Sequence, residues 1–188
     1  MASGTSTANL PAHHIMPRGA KSKGTKPRTR ARMAPIHGFS KDFLTMTSPP
    51  APADRFTLDP RLAADTLPVA ALGLSDLRLM NDRRFPWLIL VPRRAGAAEI
   101  IDLADGDRAA LLGEIVRASE ALRAAAQCDK LNVGALGNIV RQLHIHVVAR
   151  VAGDAAWPGP VWGSGTAIAY MPGEAGRLIA ALHKTGLA

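Results

Sequence analysis

From Gln142 to Val147 the chain reads Gln-Leu-His-Ile-His-Val, polar and aliphatic residues in strict alternation. A period of two belongs to a half-buried β-strand. It places Leu143, Ile145 and Val147 on one side and Gln142, His144 and His146 on the other. Two imidazoles and a carboxamide then share one face. Just upstream, Gly134 and Gly137 bracket the region of Asn132 and Asn138. This reads as a turn or loop that returns the chain beside the strand with backbone N–H groups free to meet a ligand. The constellation suits an anion, a metal or a reacting phosphate.

Around this stretch the hydrophobic pattern predicts an α+β fold with a mainly antiparallel sheet, one long helix and a C-terminal helix. Leu77 to Met80 alternates as a strand, Asn81 to Arg84 turns, and Phe85 to Val91 is a continuous apolar run closed by Pro92, which together make a hairpin with a polar tip. The region Leu58 to Leu74 has room for at most one strand, because Leu67-Pro68 breaks it. Asp105 to Cys128 is the long helix, with Asp105 or Asp102 as its cap. Its expected core stripe is Leu111, Leu112, Ile115, Ala118, Ser119 and Leu122, and its expected outer surface carries Glu114, Arg117, Glu120 and Arg123. A strand begins at Lys130. Trp157 to Gly163 is too rich in Pro and Gly to be regular, and a last amphipathic helix starts near Gly173 and ends before Gly186.

Charge divides the chain in two. The net charge is +8, and residues 1–41 carry eight Lys and Arg with no acid, so the 15 basic residues that follow balance all 15 Asp and Glu. A basic N-terminal extension, residues 1–53, is therefore expected to stay unfolded for want of apolar surface. A folded domain is expected over 54–188. An organellar transit peptide and a grip on phosphate backbones both suit the extension's composition, as does an upstream segment without function, since Met33 and Met46 are alternative starts. No aromatic residue stands among its basic residues from Arg18 to Arg32, where a nucleic-acid stacking platform would need them. Nucleic acid is accordingly not expected as a partner except through this tail. No membrane span is expected, and the single Cys128 requires no oxidising compartment, which points to a cytoplasmic protein.

The paired histidines admit two chemistries. Zinc would take them as two ligands but needs a third, and none is evident: His183 lies near the end of the last helix, His13, His14 and His37 are in the tail, and Cys128 closes a helix. Neither metal nor cofactor is expected. Nucleophilic chemistry asks for less. One neutral imidazole attacks phosphorus when an acceptor on its other nitrogen fixes the tautomer, while a second imidazole, amides and backbone N–H groups stabilise the phosphate oxygens.

The run Gln142 to Val148 resembles the signature of the histidine triad (HIT) family of nucleotide hydrolases and transferases, His-φ-His-φ-His-φ-φ with φ hydrophobic. Asn132, Gly134 and Gly137 resemble the segment ahead of the triad, and the Leu77 to Pro92 hairpin resembles the nucleoside-binding hairpin. The similarity covers about Phe56 to Trp162. It implies a HIT-like α+β meander whose sheet continues across a homodimer interface. It also implies that His144 is the nucleophile that forms a nucleotidyl-histidine intermediate. His146, Gln142, Asn132 and Asn138 are then expected to bind phosphate, and Asn81 or Asp82 the ribose hydroxyls. The implied activity is hydrolysis or transfer at the α-phosphorus of a small nucleotide substrate, a dinucleoside polyphosphate or a nucleoside phosphoramidate. A nucleotide-binding protein with little turnover is the alternative. Two positions depart from the family pattern. Gln142 replaces the first histidine, and Ile139 stands where many members have a Ser or Thr hydroxyl near the leaving group.

Overall fold

The computed structural model describes residues 55–187, so the basic N-terminal extension expected from the charge pattern lies outside the described residues. The elements run α1 (Pro60–Asp65), β1 (Thr66–Ala71), β2 (Ser75–Met80), β3 (Trp87–Pro92), α2 (Asp105–Ala125), β4 (Lys130–Gly134), β5 (Ile145–Arg150) and α3 (Glu174–His183), with a 3-10 turn at Ile100–Asp102. The five strands form one sheet in the order β1-β2-β3-β5-β4, and every neighbouring pair is antiparallel. The α+β architecture is the one expected.

Each strand's place follows from its residues. Trp87 to Pro92 has no charged side chain, all six residues are buried, and it is the central strand. Pro68 cannot donate to a ladder, so it is confined to an edge, and β1 is an edge strand whose register shifts between Pro68 and Ala70. The expected break at Leu67-Pro68 is therefore a bulge inside a strand. The helix just before it has no hydrophobic period of its own. Asp59 caps α1 by accepting the Arg61 N–H at 2.8 Å, and Pro60 occupies its first turn.

The sheet is covered on both sides. One face carries Leu77, Leu79, Leu88, Leu90, Ile145 and Val147, packed beneath α2 and α3. Each of these fully buried side chains contributes about 1.5–3 kcal/mol of transfer free energy. The other face carries Trp87, Ile89, Val91 and Val148 beneath Leu62, Phe85 and Val161. All of β5 is consequently buried, where alternation alone predicts a half-buried strand.

The long helix differs from expectation at its start, at its end and on one face. Its N-cap is Ala104, without a side-chain cap; Asp102 instead closes the preceding 3-10 turn, its Oδ2 accepting the N–H groups of Ala98 and Glu99 at 3.0 and 2.8 Å. Asp105 lies in the first turn and pairs with Arg108. The helix ends at Ala125, so Cys128 lies beyond it, half-buried against the core. Its buried side is Leu111, Glu114, Ala118, Ala121 and Leu122, while Leu112 is 63% exposed. Glu114 faces inward because its carboxylate accepts two backbone N–H groups of the β1–β2 turn, Leu74 at 2.6 Å and Ser75 at 3.1 Å. A buried carboxylate tolerates its surroundings only when its lone pairs are taken up in this way. Among the described residues no helix is long and apolar enough to cross a membrane.

Candidate functional site

A cleft of about 590 Å³ opens on the face of the sheet that carries His146, and His144 also lines it. Its walls come from four places: α1, the tip of the β2–β3 hairpin, the loop between β4 and β5, and the segment after β5. The pleat explains the juxtaposition. His146 pairs with Ile89 on one side and Gly134 on the other, so all three project to this face. At Gly134 an added Cβ would lie 3.2 Å from Cη2 of Trp162, closer than real Cβ contacts normally come. Glycine there lets the Trp162 ring settle 5.6 Å from the His146 ring.

The two imidazoles are held in opposite tautomers. Nδ1 of His144 lies 2.6 Å from the backbone carbonyl of Gln142. A carbonyl only accepts, so Nδ1 carries a proton, and in the neutral ring Nε2 keeps its lone pair. At His146 the relation reverses. The Trp87 indole N–H donates to Nδ1 at 3.0 Å, so in the neutral ring Nε2 carries the proton. Burial, with His144 beside it, lowers the His146 pKa to about 3, and the ring is neutral at physiological pH. The ring centroids are 4.8 Å apart and nearly perpendicular. The cleft thus holds one imidazole with a free lone pair beside another that offers an N–H.

Of the residues singled out in the sequence, His144, His146, Asn138, Asn81 and Asp82 line the cleft, as does the departing Ile139, which is 76% exposed. Asp82 is committed elsewhere. Burial alone would raise its carboxyl, but hydrogen bonds from the Arg84 side chain and from the Ile168 and Arg84 N–H groups hold it below the usual carboxylate value. Arg84 Nη1 in turn donates to the Ser164 carbonyl at 2.6 Å, so the pair ties the hairpin tip to the loop after β5. Asn81 accepts the Tyr170 N–H on its side-chain oxygen, which leaves its NH₂ group for a ligand.

Two expected phosphate contacts are not brought into the cleft. Asn132 turns to Arg150, whose Nη1 donates to its Oδ1 at 2.8 Å; the same guanidinium pairs with Asp154 and lies over Phe85 and Trp157. That ion pair holds the Asp154 carboxyl down to about 2. Gln142 turns to the chain ahead of α1: its Oε1 accepts the Asp59 N–H at 2.9 Å and its Nε2 donates to the Thr57 carbonyl at 2.8 Å. His183, considered as a metal ligand, bonds through Nε2 to the Val69 carbonyl at 2.8 Å and anchors α3 on β1.

Sequence reasoning missed three contributors. Trp87 belongs to the apolar run of the hairpin, yet it sets the His146 tautomer. Trp162 came from a loop with no periodic signal; it lines the cleft, and its buried indole N–H finds no acceptor among the described residues. The α1 segment supplies Arg61, Leu62, Ala64 and Asp65 to one wall, and Asp59-Pro60 was a readable helix start.

Comparison with known proteins agrees with this geometry. The HIT domain model matches residues 64–153. A crystal structure of a histidine triad protein from Sinorhizobium meliloti is 50% identical, with a TM-score of 0.68, over 69% of this chain and 96% of that one. A histidine triad protein from Bradyrhizobium japonicum is 47% identical with a TM-score of 0.68, over 70% of this chain and 98% of that one. One from Marinobacter aquaeolei is 43% identical with a TM-score of 0.69, over 71% and 99% respectively. No curated protein matches the chain. With a matching domain model, relatives spanned almost end to end at this identity and the two histidines on one cleft wall, the chain belongs to the histidine triad family.

Proposed function

We propose that this protein is a nucleotide hydrolase or nucleotidyl transferase that acts at the α-phosphorus of a nucleoside phosphoramidate or dinucleoside polyphosphate. The observation that carries the reading is the pair of opposed tautomers. His144 Nε2 attacks phosphorus as the bond to the leaving group breaks, and the leaving group departs with the electron pair of that bond and takes up a proton. Water then attacks the same phosphorus, the P–N bond to His144 breaks, and the nucleotide leaves with the imidazole restored. In a transferase a second acceptor replaces the water. Throughout, the His146 Nε2–H donates to a non-bridging oxygen from a ring too buried to charge, and Asn138 adds a second polar contact. The Asn81 NH₂ group is the contact for a ribose hydroxyl, and the apolar wall of Leu62, Ile89 and Val161 accommodates the base.

Incubation with purine phosphoramidates and diadenosine polyphosphates, followed by analysis of the nucleotides released, tests the reading. A nucleoside monophosphate should appear. His144→Ala should bind nucleotide nearly as well and lose at least about a thousandfold in kcat, as expected when the only strong nucleophile is removed. A His144→Ala protein that retained most of its kcat would end the covalent mechanism. Binding without turnover across the whole panel would instead favour a nucleotide-binding protein.

We also propose that two copies associate through α2 and β4. β4 is an edge strand with Val133 50% exposed, and α2 presents Leu112 and Val116, 63% and 48% exposed. Exposed apolar side chains beside an unpaired strand edge are surface that a two-fold partner covers. Cytoplasmic location is part of the same reading, since neither chemistry nor cysteine content calls for another compartment.

A further inference from the structure

We propose that Gln142 is a positioning residue, tying the α1 wall of the nucleotide cleft to the strand that carries His144. The proposal rests on the nucleotide reading above and goes beyond it.

The carboxamide is engaged at both its oxygen and its nitrogen, with main chain more than eighty positions away. Oε1 accepts the Asp59 N–H at 2.9 Å and Nε2 donates to the Thr57 carbonyl at 2.8 Å. In an extended chain the C=O of one residue and the N–H two residues later point the same way. A carboxamide presents an acceptor and a donor side by side and closes that pair as another strand would. Few side chains can do so. The two nitrogens of an imidazole point away from each other, and a carboxylate has no donor. The requirement accounts for glutamine at the first position of the triad pattern.

What the tether holds matters to the cleft. α1 has only six residues, far too few to persist on its own helical hydrogen bonds. It is fixed from outside, by burial of Leu62 against Phe85, Trp87 and Val161 and by capture of the segment just ahead of it. Arg61, Leu62, Ala64 and Asp65 then stand in the cleft wall. The backbone carbonyl of Gln142 meanwhile accepts the His144 Nδ1–H at 2.6 Å. One residue thus touches His144 through its main chain and the segment leading into the α1 wall through its side chain, so the two functions separate on mutation.

Gln142→Ala keeps the carbonyl and loses the tether. It should raise KM for a nucleoside phosphoramidate, and Kd for AMP or GMP, about tenfold, while kcat stays within about twofold, the signature of lost uniform binding. Gln142→Glu supplies a readout that a loss of stability would not mimic. Ionised, its carboxylate faces the Thr57 carbonyl and weakens binding; protonated near about pH 5, it regains a donor and matches the amide, so its Kd for AMP should converge on that of the wild type. Exchange of the Asp59 amide should accelerate in Gln142→Ala with no ligand present. Unchanged KM and Kd in Gln142→Ala would overturn the proposal, and so would a fall in kcat at constant KM, which would put the carboxamide on the reacting phosphate. A wild type that binds no nucleotide would refute the functional reading, and Asp59 exchange would still show whether the tether exists.

Discussion

The neutral His146 ring makes a prediction about folding that needs no substrate. The side chain is 5% exposed, and burial together with the neighbouring His144 depresses its pKa to about 3, against about 6.5 in an unfolded chain. As pH falls the unfolded chain takes the proton first. Stability is therefore complete above the unfolded value and is lost progressively as pH drops toward the folded one. The full window amounts to roughly 5 kcal/mol, and the part between pH 7 and pH 5 to about 2 kcal/mol. The latter figure depends almost entirely on the unfolded pKa, because at pH 5 the folded ring remains neutral whether it titrates at 3 or at 4. His146→Gln removes the titration and keeps a side-chain oxygen able to accept the Trp87 N–H. Urea unfolding of both proteins at pH 7, 6 and 5 measures the difference. Carboxylates titrate lower and contribute to both proteins alike. The wild type should lose about 2 kcal/mol more than the variant from pH 7 to 5, some 6–10 °C in melting temperature for a domain of this size. A wild-type-minus-variant difference that stayed constant across that range would show that the ring is not held neutral by burial.

Two further outcomes are expected. Glu114→Ala strips the acceptor from the buried N–H groups of Leu74 and Ser75 and should cost about 2–5 kcal/mol in urea unfolding; a loss under about 1 kcal/mol would mean that water replaces the carboxylate easily. Sedimentation at micromolar concentration should give a dimer that Val133→Lys or Leu112→Glu dissociates, and a monomeric wild type would remove the role proposed for β4 and α2.

What could be read beforehand was periodic, and what could not was a matter of partners. Alternation located β5 and placed both histidines on one face, and the hydrophobic pattern located the hairpin, α2 and α3. The same patterns are silent on which acceptor a polar group will find. Asn132 sits on the correct face, yet Arg150 two pairs further along takes its oxygen. Glu114 was placed outside because a charged residue usually is, whereas two unpaired N–H groups in a turn forty positions away draw it in. Gln142 shares the histidines' face in a strict strand, but regular strand geometry begins only at Ile145, and three residues ahead of it the side chain is free to turn toward Thr57 and Asp59. The cleft's far wall came from Trp162 and α1, which depend on the closure of distant loops and carry no period.

The acceptor that orients His144 has a consequence for how such a site drifts over generations. Where a carboxylate side chain orients a catalytic imidazole, one base change can erase the arrangement. Here the orienting oxygen belongs to the peptide bond after residue 142, and every codon supplies it. The identity of that residue is thereby released from the chemistry and left to answer to the fit of the walls. Under the proposed function, substrate preference is then able to wander among descendants while Nε2 of His144 keeps its lone pair.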